Sequence, residues 1–207
     1  MRGVGATIPG VHRIDTPSFS FRTRFQWAVV LACAGVLVAG APTLAAAPFG
    51  YEDDQLRVRI YPRSRDQMAA FYEARKFPSS MLNIIADYCF FTFSILNKGA
   101  EVLWLDTTAW RFVSDGEERP PEPRAQWPAR WRALGVPLSA QSTFRWTLLP
   151  ETLDLMPGEQ EGGNILLPRG PGIFSLRAPF ALGTDGGKMI DMRVDGLACA
   201  ADDQGAT

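Results

Sequence analysis

A chain of 207 residues with a formal charge of −1 has room for one ordinary domain plus flanking segments, and its composition is that of a globular protein. The charge is unevenly shared: Arg2, Arg13, Arg22 and Arg24 against Asp15 give residues 1–47 a charge of +3, which leaves −4 for the remainder. A mildly acidic body lacks the basic face that displaces counterions from phosphates, so no nucleic-acid partner is expected.

Residues 1–47 read as a signal peptide or an N-terminal membrane anchor. Phe25 to Ala47 holds no charged residue, Arg22 and Arg24 stand before it, and Ala45-Ala46-Ala47 closes it. A basic flank, an apolar run and a small-residue end form the secretory pattern. Cleavage is expected after Ala45 or Ala46, because Pro48 obstructs it after Ala47. If uncleaved, residues 25–47 match the roughly 20 needed to cross a bilayer, and the protein is then held in the inner membrane. A lipid anchor on Cys33 fits poorly, since the apolar run continues beyond it.

The exported domain is expected over residues 48–200, followed by a polar tail over 201–207. Leu56, Val58 and Ile60 alternate with arginines and Tyr61, giving a first strand. Ser64 is placed to cap a helix from Arg65 to Lys76, Pro78 breaks it, and a second helix carries Met81, Leu82, Ile85 and Tyr88 on one face. Both helices are expected to cover one end of the fold. From Cys89 to Gly116 three strand patterns follow, with Asn97-Lys98-Gly99 as one turn and Asp106-Thr107-Thr108 as a break, which reads as a β-meander.

The composition then changes. Asp115 to Ala140 is dense in Pro, Arg and Trp and too long for a routine hairpin loop. Pro120, Pro121 and Pro123 predict extended backbone, and Pro128 suits a first helical turn that brings Trp127, Trp131 and Leu134 to one face. Tryptophans beside arginines can stack a sugar, an aromatic ligand or a partner's arginine, or can pin the loop to the body from beneath. Long loops on rigid scaffolds often bind, so Trp127, Arg130, Trp131 and Arg132 are the candidate binding residues.

Strand rhythm resumes with Phe144, Trp146 and Leu148, then Ile165-Leu166-Leu167, then Phe174 to Leu182 on one parity, and finally Ile190, Met192 and Val194. Asp185-Gly186-Gly187 is a hairpin-type turn. The fold class expected is mainly β: an antiparallel β-sandwich, immunoglobulin-like in general architecture, with two short helices before the central strand.

With residues 1–47 removed, only Cys89 and Cys199 remain, and an exported chain with two cysteines predicts a disulfide between them. The single histidine, His12, precedes the apolar segment. The body therefore has none, which removes Ser-His-Asp and Cys-His catalysis and histidine-ligated zinc. Met189 and Met192 fall on opposite faces of a strand, so joint ligation of a soft metal would need a local break. No metal and no cofactor is expected. The function these features suggest is a non-catalytic exported binding or assembly module of the bacterial cell envelope, periplasmic or secreted, meeting a protein or glycan partner through the long loop. The alternatives are a carboxylate-dependent hydrolase of envelope polysaccharide, whose acid pair would meet only in space, and a purely structural membrane-tethered domain.

Overall fold

A computed structural model describes residues 49–184 and 187–202. The expected signal segment or anchor, the Asp185-Gly186 turn and most of the polar tail lie outside these residues.

The described chain is mainly β, with two antiparallel sheets and four short helices. The first sheet runs in the order β1 (Phe49–Glu52), β2 (Leu56–Arg63), β3 (Tyr88–Asn97), β8 (Gln160–Pro168). In the second, β9 (Phe174–Leu182) pairs along one edge with β10 (Lys188–Leu197). Its other edge is shared end to end by β4 (Leu103–Asp106) and β5 (Arg111–Ser114). Outside these, β7 (Thr152–Leu155) pairs with β4 and β6 (Glu117–Arg119) with β5.

The meander expected over Cys89–Gly116 is not formed. Chain continuity there crosses between sheets: β3 pairs with β2 and β8, whereas β4 belongs to the second sheet. The cause is Asn97, fully buried at the corner, whose Nδ2 donates to Glu101 O at 2.8 Å and Leu155 O at 2.9 Å while Oδ1 accepts from Gly99 N at 3.0 Å. Those bonds hold a corner where a hairpin turn was expected. The Asp106 break is present as a one-turn 3₁₀ helix, Thr107–Ala109, capped by Asp106 Oδ1 on Thr108 N at 2.9 Å.

Period-two patterning explains the core between the sheets. On β9 the five alternate residues Phe174, Leu176, Ala178, Phe180 and Leu182 are all buried, and Cys89, Phe91, Phe93 and Ile95 on β3 face them. Phe91 stacks on Phe112 at 5.6 Å between ring centroids, and Phe93 meets Trp110 at 5.2 Å, so aromatic pairs join the two sheets. Cys89 and Cys199 form the expected disulfide, with Cα atoms 5.2 Å apart.

The helices make a third layer on the outer face of the first sheet. They pack over the end of that face where β3 begins and β8 ends, forming a core separate from the one between the sheets. A second core joins Tyr88, Phe90 and Leu166 of that sheet to Met68 and Tyr72 of α1 (Arg65–Glu73), and to Met81 and Ile85 of α2 (Ser79–Ile85). Ser64 caps α1 as expected: its Oγ accepts from Gln67 N at 3.2 Å while Gln67 Oε1 accepts from Ser64 N at 3.3 Å. Phe144 and Trp146, expected on one strand with Leu148, lie instead in α4 (Leu138–Thr147) with α3 (Trp127–Ala133) before it, and Leu148 follows in an isolated bridge to Asn164. Phe144 is buried while Trp146 is 82% exposed, so their alternation marks no common face. Phe144 is the residue that commits the segment, packing beneath Trp127 and Trp131 at 4.9 and 5.2 Å.

Candidate functional site

The long connection after β5 is ordered by its own chemistry. Asp115 and Gly116, both at positive φ, turn the chain back so that β6 pairs with β5. Pro120, Pro121 and Pro123 then keep it extended, and Glu122 N donates to Leu166 O at 2.8 Å, tying this strap to β8. The chain enters α3 through a 3₁₀ turn at Arg124–Gln126 and leaves it at Gly135, whose φ of 65° only glycine adopts readily.

The four candidate binding residues do not make one stacking platform. Trp127 and Trp131 are 2% and 1% exposed and stack on each other at 5.0 Å, facing inward. Their large apolar surface is better buried against Phe144 and Tyr88 than left in water, so the indoles pin the loop from beneath. Arg130 lies over Trp127 with its guanidinium 4.9 Å from the ring, donates to the Tyr88 hydroxyl and stands 3.8 Å from Glu122. It also borders a depression of about 440 Å³ with Tyr88, Leu134 and Pro168. Arg132 is exposed. Met189 and Met192 lie on opposite faces, one half exposed and the other buried between the sheets.

What the loop does form is a groove in two parts. The inner part, about 220 Å³, lies between the strap Pro120–Arg124, the Thr107-Thr108 turn and Leu148-Leu149, with Glu151 and Asn164 among its walls. Asn164 is held by Thr92, whose Oγ1 donates to its Oδ1 at 2.7 Å, and Glu151 Oε1 accepts from Ala125 N at 3.1 Å. The outer part, about 520 Å³, shares Arg124 and Leu148 with the first and adds Ser142, Arg145, Trp146, Pro150, Leu153, Glu161 and Gly162. Its volume falls in the range of ordinary small-ligand sites.

Charge in the groove is incompletely satisfied. Arg124 Nε is buried without a hydrogen-bond partner, and neither the Arg124 nor the Arg145 guanidinium makes a hydrogen bond or ion pair with any described residue. Burial, and then the neighbouring Arg145, push the Arg124 guanidinium below its ordinary value, while Glu151 pulls the other way. Trp146 stands beside them as the most exposed aromatic side chain among the described residues. None of these was singled out from sequence. Trp146 was assigned to a strand, and Arg124 and Arg145 lie 21 positions apart, so only packing brings them to one wall.

A second apolar depression, about 350 Å³, lies on the outer face of the second sheet around Trp104, Pro179, Ala181 and Met189. There Trp104 Nε1 donates to Gly183 O at 2.8 Å, which fixes the indole against the sheet.

No family model matches the chain, and no curated protein matches it. Among solved structures it is similar to "a putative lipoprotein (ycdA)" from Bacillus subtilis, with a TM-score of 0.38 and 11% identity over 72% of this chain. The aligned part is 39% of that chain, well short of its full length. A likeness at this level assigns neither family nor function.

Proposed function

We propose that this protein is a non-catalytic exported binding or assembly module of the bacterial cell envelope, a sandwich in general architecture, acting through the groove that the 117–138 loop builds. One observation carries the reading. The Pro-rich strap, fixed to β8, walls the inner part of the groove, and in the adjoining outer part the Arg124 and Arg145 guanidinium groups have no hydrogen bond or ion pair to a described residue and Trp146 stands exposed. A half-buried guanidinium whose buried Nε has no described hydrogen-bond partner, next to an exposed guanidinium and an exposed indole, favours an incoming anionic group. The Cys89–Cys199 bond supports an oxidising compartment, as does the apolar segment after Arg22 and Arg24. Trp127 and Trp131 contribute by shaping the loop, with Arg130 and Arg132 on its outer side.

The test is co-purification from native envelopes using the full chain and a Trp146→Ala/Arg145→Gln variant. The partner retained by the native chain is lost from the variant while its unfolding midpoint is unchanged. Equal recovery of every partner by both refutes the assignment to this groove.

The polysaccharide-hydrolase reading draws on Glu151 and Glu161, which line adjoining parts of the same groove. Release of reducing ends from an envelope polysaccharide, abolished in both Glu151→Gln and Glu161→Gln, would establish it.

A further inference from the structure

Arg145 and Trp146 end α4, and Arg124 starts the 3₁₀ turn that leads into α3, so three side chains from two elements converge on the outer part of the groove. Arg145 is exposed while Arg124 is half-buried with its Nε shielded, so the two like charges repel across a wall that water screens only in part. Both guanidinium groups present unused planar N–H forks, the donor geometry that matches a carboxylate. Glu151, which attracts Arg124, spends one oxygen on Ala125 N and does not reach ion-pair distance of either arginine. The balance therefore favours one incoming anionic group.

The remaining lining narrows the ligand. Trp146 offers an accessible flat face next to the arginines. Ser142 can donate or accept, and the Glu161 carboxylate accepts and carries no hydrogen bond or ion pair to a described residue. A ligand for this wall needs one negative group, a flat apolar face and hydroxyls that donate as well as accept. Glu161 also repels a second negative charge, which disfavours polyphosphates. Gly162 adds no side chain to the basin, because a Cβ there would sit 2.7 Å from the Phe93 carbonyl oxygen.

We propose that this basin binds an acidic saccharide of the uronic acid type, its carboxylate between Arg124 and Arg145 and its pyranose face against Trp146. This rests on the binding-module reading above and specifies its ligand class. Arg124 and Arg145 supply charge-assisted hydrogen bonds, Trp146 the contact with the ring, and Glu161 an acceptor for ring hydroxyls.

The experiment is calorimetric titration of the full disulfide-bonded chain with galacturonic acid, with its methyl ester, which keeps the ring and removes the single charge, and with an acidic peptide ending in a free carboxylate. Galacturonate binds, and the ester binds at least about tenfold more weakly, the effect of losing one charge-assisted pair. Arg145→Gln and Trp146→Ala each weaken galacturonate binding by about tenfold or more without shifting the unfolding midpoint. Equal affinity for acid and ester overturns the carboxylate assignment, and tighter binding of the peptide overturns the saccharide assignment. Absence of galacturonate binding overturns the proposal outright. If the Trp146→Ala/Arg145→Gln variant still loses an envelope partner in that case, the binding-module reading survives with another ligand; if it does not, both fail.

Discussion

Gly163 offers a sharp test of how α4 is seated on the first sheet, and so of the groove wall itself. It lies in β8 opposite Phe93, and a Cβ built there would sit 2.7 Å from Leu149 Cα and 2.9 Å from Leu148 C, closer still to Leu149 N. These are backbone atoms and cannot swing aside as a side chain would. Leu149 N donates to Asn164 O at 3.1 Å, and Leu148 forms a parallel bridge with Asn164. Gly163→Ala must therefore move the chain that leaves α4. Overpacking of this kind costs about 1 to 3 kcal/mol, and loss of the Leu149–Asn164 bond adds about 1 kcal/mol. The lower unfolded-chain entropy of alanine offsets about 0.4 to 1 kcal/mol, leaving a net loss of about 2 kcal/mol. In urea unfolding of the oxidised protein the midpoint falls by roughly 1 M with an unchanged slope. Gly170→Ala is the control: nothing lies within 4 Å of its Cβ position and its φ is not positive. That variant unfolds at the native midpoint or slightly above it. A native midpoint for Gly163→Ala, or an equal fall in Gly170→Ala, refutes the seating described here.

Three further outcomes follow from the same structure. The Cys89–Cys199 bond spans 110 residues, and in the chain-entropy picture its loss costs up to about 4 to 5 kcal/mol; urea midpoints of the Cys89→Ala/Cys199→Ala chain measure this, and an unchanged midpoint refutes it. Trp131 is 1% exposed, so Trp131→Ala costs about 3 to 5 kcal/mol while Trp146→Ala costs less than about 0.5 kcal/mol; reversed thermal shifts would mean that the inward indole has been misplaced. Burial raises the Asp53 pKa, but hydrogen bonds from the Tyr51 hydroxyl and the Gln55 and Leu56 amides outweigh it, so the net shift is downward. A carboxylate with a depressed folded pKa stabilises the fold above its unfolded value, about 3.9. That stabilisation is lost as pH falls from there through the folded value. Acid unfolding curves of native chain and Asp53→Asn should therefore converge below about pH 4, and a constant gap down to the lowest pH refutes the assignment.

Short-range chemistry was legible in the residues. Ser64 before Arg65 specifies a helix cap, the parity of Phe174 to Leu182 specifies a strand with one buried face, and Asp106-Thr107-Thr108 specifies a break. The pairing of Cys89 with Cys199 followed from their number in residues 48–207 and from the expectation of export. Where reading failed, the deciding contacts were distant. Phe144 alternates with Trp146 and Leu148 as a strand would, but it becomes helical because Trp127 and Trp131 from the preceding helix close over it. Those same tryptophans read either as a stacking platform or as the underside that pins the loop, and a bare sequence cannot tell which side of an amphipathic turn meets a second core.

The sequence by itself determined the period of most segments and the positions of turns and caps, because each depends on residues a few positions apart, and it offered the Cys89–Cys199 pair once the segment holding Cys33 was set apart. Only the tertiary structure decided that the first sheet is covered on both faces, that β3 and β4 part into different sheets at a buried asparagine, and that Arg124, Arg145 and Trp146 share a wall. These depend on which apolar faces meet across the fold, and local sequence carries no record of that choice.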